Sequence, residues 1–165
     1  MMQHDRISTT ARRVRRGALA AVALLVTSTT PVLADEDHGK HLPPGPIHDR
    51  HELMEGVGAE AKKIGAATKA GKPEDAVQPA ENIAAALEKF PGMFPAGSES
   101  PLSRAKPEVW TNKQKFDELN AESRQAALAL AEAAKSGGDL KAASGALFKT
   151  CKSCHDQFRV PEEGE

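Results

Sequence analysis

Between residues 49 and 158 the chain repeats helix-length apolar stripes separated by proline and glycine stops, and this pattern restricts its fold more than any other feature. Leu53, Met54, Val57, Ala61, Ile64 and Thr68 recur at three- and four-residue steps until Gly71-Lys72-Pro73, the spacing of one helix face followed by a stop. Pro73 opens a second segment with Val77, Ile83, Ala84 and Leu87 inward, ending at Pro91-Gly92. Pro79 is expected to bend that helix or delay its first turn. A third runs from Pro107 through Trp110, Phe116, Leu119, Ala126, Ala127, Leu130 and Ala134 to Gly137-Gly138. Asp139 caps a fourth, with Leu140, Ala143, Leu147, Cys151, Cys154 and Phe158 on one face. Residues 91–107 are too rich in Pro, Gly and Ser for a helix, and a structured connection of that length often wraps something functional. The pattern predicts an all-α, antiparallel up-down-up-down four-helix bundle.

Such a bundle is short of volume. Its stripes are alanine-rich, and the whole chain has no Tyr, one Trp and five Phe. Cores need bulk as well as apolarity, so a large body is expected between the helices, with small residues such as Ala61, Ala126 and Ala143 beside it.

The first 34 residues stand apart. Residues 11–16 read ARRVRR, residues 17–26 GALAAVALLV, and small residues precede Ala34, the charged, apolar and small-residue order of a secretory signal. The apolar run is shorter than the roughly 20 residues a membrane span takes. An uncleaved anchor is the alternative reading of the same residues. The organisation expected is a signal peptide at 1–34, a flexible leader at 35–48 with His38, His41 and His48, a helical domain at 49–160 and a tail at 161–165. Cleavage leaves 17 basic and 22 acidic residues. No basic stripe survives to hold a nucleic-acid backbone, which excludes that class of partner. Export implies a periplasmic location and no stable membrane insertion after cleavage.

Both cysteines of the chain lie in residues 151–159, CKSCHDQFR. A thioredoxin-like pair needs its CxxC at a helix N-terminus in a βαβ setting, and here it falls late in a helix. A structural zinc site needs four ligands, usually as two separated pairs. A disulfide at this spacing closes a tiny loop and stabilises little. The remaining reading is covalent haem attachment, for which Cys-x-x-Cys-His is the signal. Cys151, Cys154 and His155 stand at i, i+3 and i+4 on one helical face, so two thiols can reach the vinyl groups of one porphyrin while the imidazole reaches its iron. One haem c per chain would also supply the missing core volume.

With those residues the chain resembles the class II c-type cytochromes, the cytochrome c prime family, over residues 48–160. The resemblance is carried by CKSCHDQFR at 151–159, KPEVWTNKQKFDEL at 106–119 and RHELM at 50–54. It implies a four-helix bundle with His155 as the proximal iron ligand and Arg159 near it. It also implies a choice at the sixth iron position: empty and high-spin in cytochrome c prime, which binds nitric oxide or carbon monoxide, or filled by a methionine in low-spin electron carriers. Met54 stands at the deciding position. Gly58 and the loop FPGMFPAGS at 90–98 look more like the low-spin branch, since a glycine lets the first helix approach the ring closely. The expectation is therefore a low-spin His155/Met54 haem acting as a periplasmic one-electron carrier and not as an enzyme, with the five-coordinate gas-binding protein as the alternative. Met93 and His51 are lesser candidates for the distal ligand. Arg50 is read either as a contact to a haem propionate or as a solvated helix charge, and Trp110 and Phe116 as core or haem-adjacent packing. The implied partners are periplasmic redox proteins, and a second copy paired through the first two helices.

Overall fold

The structure, a computed structural model, describes residues 42–161. The expected signal peptide, the first half of the leader with His38 and His41, and all but the first residue of the tail lie outside the described residues. The elements are α1 (Pro46–Ala70), α2 (Glu74–Lys89), a 3-10 turn (Phe90–Met93), α3 (Glu108–Thr111), α4 (Lys113–Ser136) and α5 (Leu140–Phe158).

Helix ends follow the local chemistry of the chain. Pro46 starts α1 three residues before the expected boundary at 49, because the first helical position has no use for the N–H that proline lacks. Gly71 ends α1 at φ 66°, a left-handed conformation that favours glycine, and its N–H returns to Ala67 and Thr68 carbonyls. Asp139 caps α5 as expected, accepting from the Ala142 N–H at 2.9 Å. Two details differ from the sequence reading. Pro79 lies buried within α2 without delaying its first turn, and the carbonyl it deprives of a donor belongs to exposed Asp75, where water can serve. The third segment is two helices, since Asn112 leaves the helical region at φ −125°, ψ 48°; asparagine readily trades helix for turn.

The four long helices form a ring in chain order. α2 packs extensively on α1 and on α4, and α4 on α5, whereas α1 and α5 meet over a far shorter stretch. One buried cluster joins Ile64 and Ala67 of α1, Ala76, Ala80, Ile83, Ala84 and Leu87 of α2, Ala127, Leu130, Ala131 and Ala134 of α4, and Leu147 of α5. Most of these alanines belong to α2 and α4 and are already sealed by protein, so they serve close helix approach. The idea that small residues mainly leave room for a large body holds at most for Ala61, Ala126 and Ala143, which stay partly buried at the cluster's margin. A second cluster of Phe94, Val109, Phe116, Leu119 and Phe158 fills the opposite end. Its rings meet edge-on: Phe90 with Phe94 and Phe94 with Phe116 at 5.0 Å, Phe116 with Phe158 at 5.3 Å.

Residues 94–107 wrap the end of α5. Lys106 N–H donates to the Phe158 carbonyl at 2.9 Å and Val160 N–H to the Arg104 carbonyl at 2.8 Å, while Arg104 donates through Nε and Nη2 to the Val160 carbonyl. Asn120 of α4 donates to the Leu87 carbonyl of α2 at 2.8 Å, satisfying a buried carbonyl at the helix end.

Leu130 is fully buried whereas Leu128, two residues away, is 38% exposed. Leu130→Ala is expected to cost about 2–5 kcal/mol in denaturant unfolding of the haem-loaded protein, and Leu128→Ala well under half of that.

Candidate functional site

α5 carries Cys151, Cys154 and His155 in its last two turns, all half-buried. Cys151 packs against the alanine-rich cluster and Cys154 against the aromatic one, so the two thiols stand on the boundary between the two parts of the core. They are free cysteines. Burial pushes the Cys151 thiol up, and burial together with the neighbouring Cys151 pushes Cys154 to about 11. A redox dithiol needs the opposite, a thiolate stabilised at neutral pH. Zinc is opposed by the donor set: among the described residues no three His, Cys, Asp or Glu side chains gather to hold a metal ion.

The residues fit a covalently held haem. The weakly joined α1–α5 seam is pinned at one end, where the Thr68 and Ser144 hydroxyls meet at 2.8 Å. From that pin to His155 is eleven residues along α5, roughly 16 Å at the helical rise. Met54 comes from the other wall: half-buried on α1, it packs against the same cluster as Cys151. Thiols and an imidazole thus come from α5, and a thioether that packs on the same cluster as Cys151 comes from α1.

Arg50, one turn before Met54, is not the solvated helix charge that was one of its two sequence readings. It is 5% exposed. Its Nη1 donates to the Ser98 hydroxyl at 3.2 Å and its Nη2 to the Ser98 carbonyl at 3.0 Å, with Met93 O at 3.5 Å from Nη1. The guanidinium lies 4.6 Å over the Phe94 ring and 5.7 Å from Trp110. Burial lowers its pKa, partly opposed by Glu99. Its Nε is buried without a partner, which leaves one donor for an acceptor such as a carboxylate. Neither Phe94 nor Ser98 was visible in the sequence as a partner of Arg50, because no periodicity links a loop to a helix across 48 residues.

The other candidates fall as follows. Met93 packs on the aromatic cluster beside Cys154. His51 lies 3.4 Å from Glu55 on the next turn, and His48 near Asp49 and Glu52. Arg159 caps α5 in extended conformation, its N–H donating to the His155 carbonyl at 3.0 Å. Trp110 donates from Nε1 to the Pro95 carbonyl at 3.1 Å, and Phe116 is buried. A Cβ at Gly58 would meet nothing within 4 Å, so no protein neighbour requires that glycine.

A family model described as Cytochrome C' matches residues 45–159. The chain is 35% identical over 118 residues to a cytochrome c' of Rhodopseudomonas palustris, covering 69% of this chain and 81% of that protein. It is 28% identical over 159 residues to a cytochrome c-556 of the same organism, covering 89% and 98%. A solved cytochrome c' described as having an unusual ligand-controlled dimer dissociation superposes with a TM-score of 0.65 at 27% identity, covering 73% of this chain and all of that one.

Arg50→Leu is expected to release the 93–98 loop: amide exchange at Ser98, whose N–H donates to Pro95, should quicken at least about tenfold, with about 1–3 kcal/mol lost in unfolding. Ser98→Ala, which spares the backbone acceptor, should lose less.

Proposed function

The chain belongs to the cytochrome c' family and carries one covalently attached haem c, and from that premise we propose that it is a periplasmic haem protein with a five-coordinate, high-spin iron that binds a small diatomic gas. Export rests on the signal-like residues 1–34, and among the described residues no helix is long and apolar enough to cross a membrane. Cys151 and Cys154 form the thioethers and His155 is the proximal ligand. The observation that carries the reading is the match to cytochrome c' over residues 45–159, since that branch leaves the sixth position open behind an apolar side chain of the first helix.

When bound, haem supplies an iron that exchanges one electron and accepts an axial ligand. Met54 covers the distal side and excludes water, held by its packing on the alanine-rich cluster. Arg50 fixes the N-terminal part of α1 against the loop and offers its remaining Nε–H to a propionate. Arg159 stays beside His155 through its backbone hydrogen bond. The expected low-spin, Met54-ligated electron carrier becomes the second reading. It is favoured by one observation, the inward placement of Met54 beside the cluster that also holds Cys151. Either way the protein carries electrons or a ligand and does not turn over substrate.

Pairing of two copies is supported by the dimer described for the similar solved structure.

The absorption and electron paramagnetic resonance spectra decide between the two. The expected result is a high-spin ferric protein whose reduced form binds carbon monoxide, an unchanged spin state in Met54→Leu, and association about tenfold faster in Met54→Ala, equivalent to about 1.4 kcal/mol of barrier. A low-spin spectrum that turns high-spin in Met54→Ala overturns the five-coordinate reading in favour of the carrier.

A further inference from the structure

Four of the five phenylalanines belong to the aromatic end of the core: Phe90, Phe94, Phe116 and Phe158. Phe148 does not. It is 38% exposed on α5 and enters no ring pair among the described residues. Exposure of one large apolar side chain is ordinary; Leu128 is equally exposed. What distinguishes Phe148 is its position.

At about 100° per residue, Ser144, Phe148 and His155 project from α5 within roughly 40° of one another. The direction of that stripe is given by Ser144, whose hydroxyl meets Thr68 of α1 at 2.8 Å. Phe148 therefore borders the α1–α5 seam, one turn beyond the point where the seam is pinned. It stands one turn before Cys151 and two turns, roughly 10 Å, before His155. The cysteine that would tether one side of the porphyrin is thus its neighbour along the helix, and a ring held there would lie within reach of the Phe148 side chain.

We infer that Phe148 packs against the edge of the haem beside Cys151 and shields that edge from water, so that its exposure in the protein scaffold marks cofactor contact area. This makes it a positioning residue for the ring and a determinant of how much of the haem meets solvent, a variable that tunes reduction potential. The inference rests on the attached haem, which both readings of the coordination share, so its failure and the failure of the five-coordinate reading are separately visible.

The test uses the haem-loaded protein in its diamagnetic reduced state, as the carbon monoxide complex if the iron is five-coordinate and as the reduced protein alone if it is six-coordinate. Nuclear Overhauser contacts from Phe148 ring protons to a haem methyl or thioether proton, with ring-current-shifted resonances, are the expected result. Phe148→Ala should retain the helical circular dichroism and lower the reduction potential, and Phe148→Leu should bring it back toward that of the parent. Unshifted Phe148 resonances without haem contacts, or a potential unchanged in Phe148→Ala, overturn the inference. So do Phe148 signals that move with protein concentration, which would assign the ring to a contact between copies.

Discussion

The close approach of α2 and α4 through alanine is the constraint on which the other features depend. Ala76, Ala80 and Ala127 are fully buried, and with so little side chain between them these helices need no other filler. Volume spent sparingly at that crossing leaves the ring of helices unevenly closed. The buried aromatic residues gather at one end, and α1 and α5 touch over a short stretch on the far side from the tight crossing. That less extensive junction, flanked by Cys151 on α5 and Met54 on α1, is where a flat apolar body would add most to the packing.

The two ends of the seam are held by different chemistry. At one end a pair of hydroxyls, Thr68 and Ser144, ties α1 to α5. At the other, Arg50 ties α1 to the 93–98 loop while its guanidinium covers Phe94, and the following residues of that loop bind the end of α5 through Arg104 and Lys106. The long connection between α2 and α3 is therefore a brace between the helix bearing Met54 and the helix bearing His155. Its Pro, Gly and Ser content follows from that task, since it must turn repeatedly and offer backbone groups to both helices.

Much of this was legible in sequence because it is local. The helix stripes, the Asp139 cap, the Gly71 stop and the Cys-x-x-Cys-His spacing each depend on residues within a few positions of one another, and the structure reproduces them. The break at Asn112 was lost because the apolar period continues across it from Trp110 to Phe116. Pro79 does not delay the first turn of α2, because the cost of an interior proline depends on whether the abandoned carbonyl reaches water, which is a property of exposure. Arg50 read as either a propionate contact or a solvated helix charge, and nothing short of the folded loop reveals that it is buried against Ser98. Phe148 stood one position off the core stripe anchored by Leu147, so a two-sided division into core and surface passed over a residue that faces a seam.

The same distinction explains why Met54 alone does not decide what the iron does. A thioether at that position ligates or merely covers according to distances of a few tenths of an ångström, and those are determined by where α1 is held. Arg50 holds it one turn away, through a forked hydrogen-bonded contact to a loop that is itself braced against the haem-bearing helix. Under the five-coordinate proposal this brace keeps α1 from settling further onto the ring, and Met54 acts as a lid whose displacement admits a ligand. Under the carrier reading the same brace would hold sulfur at bonding distance. In both, α1 is held by a loop contact more than 40 residues away in sequence, and the methionine's identity is compatible with either outcome.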